Sequence, residues 1–354
     1  MSPLRRSLTV GQRRTAQATG SAAIIAVLLA IVYPHVTHTP WRDMLHQLHT
    51  LSIAELGLLT AVWFAGIYAQ SFVITASLPA LTTRQALTMN LAGSAVSNVM
   101  PFGGAAGMAV GLAMTRSWGF RTSAFALSTL LTNLANLLAK LLLPLLALLG
   151  LALSHQLADR QLTVAAGIAA VAMLTIVALV CAALVYEPVA DRLGRWLQAG
   201  VEWLLRRVRS NRSVRLHAIL LEQRRHCRAL LMRRWPVMSA AVLGYVALQG
   251  LLLWMILEML GAGLGLAAVF AGFALERFLS LALVTPGGVG IAQTGAAALL
   301  VALGGAPAQT AAGVLLFSVF TFLVEIPVGS AAGLLWWRSH RRRAARKVPD
   351  DVTA

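Results

Sequence analysis

This chain has little of what a soluble protein keeps on its surface. Only 12% of its 354 residues are charged, and only two of the cations are lysines, Lys140 and Lys347. Cysteine is nearly absent as well. Cys181 lies in an apolar run and Cys227 follows His226 among arginines, which excludes a disulfide framework and gives no zinc-ligand spacing. His35, His38, His46 and His49 come without acidic ligands in a metal pattern. There is no nucleophile elbow, phosphate loop or paired-carboxylate site, so nothing points to an enzyme, a metal or a cofactor. The first apolar run follows Arg5, Arg6, Arg13 and Arg14 but has no small-residue cleavage site, and so reads as a retained signal anchor.

What is present is apolar: 58% hydrophobic residues and a mean hydropathy of +0.75. These values imply an all-α polytopic membrane protein. The net charge of +17 is carried by arginines between apolar runs. That distribution fits topology signals and contact with anionic lipid rather than nucleic acid. Six runs are long enough to cross a bilayer: 19–34, 54–78, 123–153, 162–186, 236–259 and 308–337.

Two further apolar segments, 83–115 and 264–303, are broken. One carries Pro101, Gly103 and Gly104, the other Pro286, Gly287, Gly288 and Gly290. Proline removes a donor and glycine weakens helix, and in lipid each freed backbone group needs an internal partner. Charge counting suggests how these segments sit. Residues 187–235 hold twelve arginines against four acids, and both termini (1–18 and 339–354) are basic. All three belong in the cytoplasm under the positive-inside rule only if neither broken segment makes a single crossing. Two re-entrant segments, one entering from each face, satisfy the count. So would two double crossings, which have the same parity.

The membrane domain, 19–338, then divides into a first half at about 54–186, a linker at 187–235 and a second half at 236–337. In the linker, Leu193, Trp196, Leu197, Val201, Leu204, Leu205 and Val208 mark one helical face, expected to lie on an anionic leaflet. A weaker stripe runs from Leu216 through Ile219, Leu220, Cys227 and Leu230 to Leu231. A shift of 185 residues superposes Pro101 on Pro286, Gly103 on Gly288 and Gly119 on Gly304. With entry from opposite faces, that is the pattern of an inverted repeat, in which paired interrupted segments point to the binding site.

Ionisable groups inside the bilayer are costly, about 3 kcal/mol each, and are candidates for function. Asn133, Asn136 and Lys140 share a helical face with Thr129. The shift brings Lys140 onto Glu325, so the two are expected to pair where the halves meet. Glu276 and Arg277 lead into the second break; as neighbours about 100° apart on a helix, they are expected to take different partners. Half-helices that begin after the glycines expose N–H groups that favour an anion such as a lipid phosphate.

Pro286-Gly287-Gly288-Val289-Gly290, with the small-residue run to Leu303-Gly304-Gly305, resembles the signature of the lysylphosphatidylglycerol synthase transmembrane-region family, which is flippase-like. Asn98-Val99-Met100-Pro101-Phe102-Gly103-Gly104 is similar to that family's first-half motif, and the resemblance covers roughly residues 20–338. Two departures stand out. Gln293 occupies a place where the family often has an acid, and Ala105 to Met114 is apolar where Glu and Arg often follow the first glycines. The chain ends at Ala354, so the family's soluble aminoacyl-transferring domain is not expected.

The resemblance implies lipid translocation. With the anion-favouring breaks, the expected cargo is an anionic phospholipid or polyprenyl-phosphate lipid moved between the leaflets of the plasma membrane, and the charge count puts both termini in the cytoplasm. Asn98, Pro101, Gly103, Gly104, Pro286, Gly287, Gly288, Gly290 and Gln293 are the candidate headgroup contacts. Asn133, Asn136, Lys140, Glu276, Arg277 and Glu325 are the intramembrane polar set. A scaffold for a lipid-modifying or glycosyl-transferring enzyme, and a membrane-embedded transferase, remain as other readings. Either a homo-oligomer or an enzyme partner is compatible with the sequence.

Overall fold

The computed structural model describes residues 27–100, 103–153, 216–281 and 288–345, with scattered positions between 167 and 199; of 152–153, 216–233 and 343–345 it describes the backbone alone. Every regular element among the described residues is helical. A π-helical turn, Leu28–Val32, runs into α1 (Tyr33–Thr37), followed by α2 (Trp41–Leu48) and α3 (Ile53–Ser77). The first half continues with α4 (Thr83–Val99), α5 (Gly103–Ser117) and α6 (Thr122–Leu153). The second half holds α7 (Leu216–Met259), α8 (Leu266–Leu279), α9 (Ile291–Ala302), α10 (Pro307–Ser318), a π-helical turn at Val319–Leu323 and α11 (Glu325–Ala345).

Four stretches are long and apolar enough to cross a membrane: Ile53–Ser77, Thr122–Leu151, Arg234–Met259 and Pro307–Arg342. Two of the six expected spans are represented only by the short apolar helices Leu28–Thr37 and Ala170–Leu179, since the rest of each lies outside the described residues. Most of the first linker face, from Leu193 to Val208, lies outside them too, although Trp196 is described and is exposed. The second stripe is not a separate interfacial helix. Residues from Leu216 onward belong to the same 44-residue helix as the span, continuous through Pro236.

The halves meet along α3 and α7. Gly66 faces Leu248 and Gln249, while Val73 and Ala76 pack with Met238 and Val242. Rising numbers on one helix meet falling numbers on the other, so the two run antiparallel. Their C-terminal ends therefore lie at opposite ends of the bundle. Each broken segment starts within a few residues of such an end, α4 at Thr83 and α8 at Leu266. The two segments thus enter from opposite sides, as the charge count expects. Serine and threonine start α3 and α4 cleanly. Ser52 with Glu55, and Thr82 with Gln85, form reciprocal capping boxes that satisfy the first free N–H groups.

Both broken segments are antiparallel helical hairpins. Ser97 meets Gly103, Gly93 meets Gly107 and Met89 meets Gly111, so four residues up one arm match four down the other. Gly272 likewise meets Leu300, and Gly295 meets Leu279. The arms have 17, 15, 14 and 12 residues. At 1.5 Å per residue they reach about 18–26 Å, short of a hydrocarbon core of ~30 Å. In the first hairpin the close approach depends on glycine. A Cβ on Gly107 would stand 2.7 Å from the Gly93 carbonyl oxygen and would overlap the Ser97 hydroxyl. Ser97 Oγ donates to the Gly103 carbonyl at 2.9 Å, which ties the two arms together at the tip.

The 185-residue shift carries the start of α6, Thr122, onto the start of α10, Pro307, and the end of α5, Ser117, onto the end of α9, Ala302. Packing follows the same exchange. α6, which leaves the first hairpin, packs on α8 of the second, and α11, at the end of the second half, packs on α4 of the first. This last contact is so tight that a Cβ on Gly329 would overlap the Leu91 carbonyl.

Replacing Gly107 with Leu is expected to destabilise the protein by at least the ~1–3 kcal/mol of an overpacked interior, read as a lower unfolding temperature in detergent. Gly104 is exposed with nothing near its Cβ position, so Gly104→Ala should leave that temperature unchanged or raise it.

Candidate functional site

The second hairpin's entry arm carries the most charged part of the interior. Glu276 is 1% exposed. Contrary to the expectation from helical angles, it pairs with its own neighbour. Arg277 Nη2 donates to Glu276 Oε1 at 2.8 Å, and Arg277 Nε donates to Glu276 Oε2. The long guanidinium arm curls across the 100° offset because no other carboxylate is as near, and a forked donor matches a carboxylate bidentately. The same guanidinium stands over Phe273 at 5.7 Å and Phe317 at 5.4 Å, two rings packed edge to face. Arg277 is thus fixed on the bundle's centre, between α8 and α10. It lies within electrostatic reach of Tyr245, Lys140 and Glu325.

Lys140 and Glu325 occupy equivalent places in the two halves, but no ion pair joins them among the described residues. Lys140 Nζ donates to Ser280 Oγ at 2.8 Å, and Ser280 Oγ donates in turn to the Arg277 carbonyl at 2.6 Å. Glu325 Oε2 accepts from Asn98 Nδ2 at 3.3 Å. Asn98 Nδ2 reaches the Phe322 carbonyl at 3.0 Å, beside the π-helical turn that precedes α11. The physical reason is the swapped packing of the halves. α6 lies on the second hairpin and α11 on the first, so each charge meets the other half's hairpin tip before it could meet its counterpart. Asn133 is exposed and Asn136 half-buried, and neither bonds to a described residue.

At the tips, Pro101, Pro286 and Gly287 lie outside the described residues. Gly103 begins α5 against Ser97, and Gly104 faces outward. Gly288 has φ +72°, and a Cβ there would be 2.7 Å from Ser280 Cα. Gly290, at φ +90°, lies beneath Leu28 of the first helix and caps α9. The Gly290 N–H donates to Gln293 Oε1 at 2.6 Å. Gln293 is buried, and its amide nitrogen has no hydrogen-bond partner among the described residues. The start of α9 therefore offers two kinds of donor, backbone N–H groups and the Gln293 amide, where the sequence pattern suggested an acid.

Several residues of this region were not singled out from sequence. Ser280 holds Lys140, yet serine is too common in membrane helices to stand out. Gln249, Gln70 and Trp63 lie on α3 and α7, and Gln249 Oε1, Gln70 Oε1 and Trp63 Nε1 are buried without a partner among the described residues. Glutamine and tryptophan inside apolar runs were the available signal.

The sequence model of the family described as Lysylphosphatidylglycerol synthase TM region matches residues 19–329 of the chain. No curated protein matches it.

Glu276→Gln removes the carboxylate from a buried pair and is expected to cost about 3–5 kcal/mol, because Arg277 is left unbalanced. Replacing both Glu276 and Arg277 with Met should recover much of that loss. Thermal unfolding of the three variants in detergent checks this, and a double variant no better than Glu276→Gln would contradict it.

Proposed function

The chain belongs to the lysylphosphatidylglycerol synthase transmembrane-region family, and from that premise we propose that it moves an anionic lipid, or a lipid-linked headgroup such as polyprenyl phosphate, between membrane leaflets. The observation that carries this reading is the convergence of two half-length hairpins, entered from opposite ends of the bundle, on one set of ionisable side chains. Interrupted segments paired across an inverted repeat form the substrate site of many transporters, and half-helix N-termini there face anionic groups. The unpartnered amide of Gln293, the first turn of α9 and the Lys140 ammonium supply donors suited to a phosphate. Acyl tails would stay in lipid while the headgroup passes between the hairpins. The halves would rock about the α3–α7 seam to expose the headgroup to each side in turn. The plasma membrane, with both basic termini and the arginine-rich linker on the cytoplasmic side, is the setting that the charge distribution favours.

Leaflet exchange in liposomes tests the proposal, using headgroup-labelled phosphatidylglycerol, phosphatidylcholine and polyprenyl phosphate. Exchange of an anionic lipid above the protein-free rate is expected, and no exchange of any of the three would overturn it. Gly288→Leu should slow exchange by about tenfold or more, since φ +72° and the close Ser280 backbone leave no room for a side chain.

A further inference from the structure

The two hairpins are held by the same architecture and by opposite chemistry. Lys140, on the helix after the first hairpin, holds the tip of the second through Ser280. Glu325, at the equivalent place in the second half, holds the tip of the first through Asn98. Lys140 has no carboxylate at ion-pair distance among the described residues, because Glu276 is already committed to Arg277 on both oxygens. Its contact with Ser280 is a charge-to-hydroxyl bond, and two of its three N–H groups make no bond to a described residue. A phosphate oxygen is a stronger acceptor for an ammonium than a neutral hydroxyl is. Glu325 is itself an anion: a phosphate could accept the Asn98 N–H only by coming up against the carboxylate's negative charge, which repels it.

Building on the translocation reading, we propose that Lys140 is the headgroup's phosphate ligand and that binding a phosphate releases the tip of the second hairpin alone. Ser280 is then the positioning residue: its hydroxyl holds the α8 end beside the Gly288 turn until the phosphate takes the ammonium from it. Both hairpins keep the glycine contacts between their arms, and the first stays tied by Glu325. Two tips that are equivalent by symmetry would thus answer differently to an anion, and the substrate itself would decide which hairpin moves.

The test follows the accessibility of each tip, independently of leaflet exchange. In a full chain with Cys181 and Cys227 replaced by Ala, single cysteines are placed at Val289 (V289C) for the second tip and at Val99 (V99C) for the first. Alkylation rates are measured in dodecyl maltoside micelles with and without short-chain phosphatidylglycerol. The lipid is expected to raise the rate at position 289 at least threefold and to leave position 99 unchanged. Ser280→Ala should give the fast rate at 289 without lipid. Lys140→Met should do the same and lose the lipid response, while Lys140→Arg, which keeps the charge, should keep that response. Since Ser280→Ala leaves the charge untouched, it serves as the reporter should Lys140→Met fail to fold. An unchanged rate at 289 with lipid, or equal acceleration at both tips, would overturn the proposal. An equal response to inorganic phosphate at the same concentration would overturn a lipid as the source of the anion. Leaflet exchange with no change at 289 would overturn the release of the tip while leaving translocation standing. The reverse result would overturn translocation alone.

Discussion

The antiparallel seam between α3 and α7 is the constraint on which the rest of the structure depends. Once the two helices run in opposite directions with Gly66 against Gln249, their ends point to opposite faces, and the hairpins that follow have to enter from opposite sides. The long helices after the hairpins then cross over, α6 onto α8 and α11 onto α4. Neither half could form these contacts alone, so the inverted repeat is joined by exchange and not merely by apposition. The seam's own polar residues, Gln70, Gln249 and Trp63, sit where apolar side chains would pack more simply. A buried polar atom without a partner is costly in a low-dielectric interior, and polar groups of this kind concentrate where a structure does work.

Charge inside the bundle is arranged in two grades. Arg277 and Glu276 neutralise each other on one turn, with aromatic rings beneath the guanidinium, and form the fixed centre. Lys140 and Glu325 stand on either side of it, each bonded to neutral groups only. The fixed pair meets its electrostatic needs internally. The outer two do not, and each is spent on holding a hairpin from the other half. The difference matters because a buried, mutually satisfied pair resists change, whereas a charge held by a hydroxyl or an amide can be drawn away by a better partner.

Much of this was legible in the sequence. Proline and glycine in apolar runs marked both hairpins, because those residues have few other reasons to interrupt a helix in lipid. Arginine counting gave entry from opposite faces, and the 185-residue shift located the equivalent helices to the residue. Contact across the repeat was another matter. Equivalence puts Lys140 and Glu325 in the same place within each half, but they would touch only if the pseudo-twofold axis passed between them, and the exchange of α6 and α11 carries both away from it. The bidentate bond between Arg277 and Glu276 escaped for a different reason. Helical offset describes where Cβ atoms point, and an arginine has enough rotatable length to undo it. Ser280 carried no pattern at all, since a hydroxyl becomes informative only when the charge beside it is known.

The sequence departure at Gln293 also takes on a physical meaning. An acid at that point would cap the same Gly290 N–H, and it would place a negative charge at the start of α9, beside the groups that a phosphate would need. Glutamine keeps the cap through its oxygen and turns a donor, the Nε2 amide, toward the interior in the acid's place. The start of α9 therefore keeps its geometry while its local charge shifts toward accepting an anion. Two carboxylates remain in the second half's interior: Glu276 is neutralised by Arg277, and Glu325 lies on the first hairpin's tip, bonded to Asn98. The two ends of the repeat are thus alike in fold and unlike in charge. In the proposed transport cycle, that inequality would let a bound anion favour one of the two arrangements of the halves, which backbone symmetry by itself would leave equal.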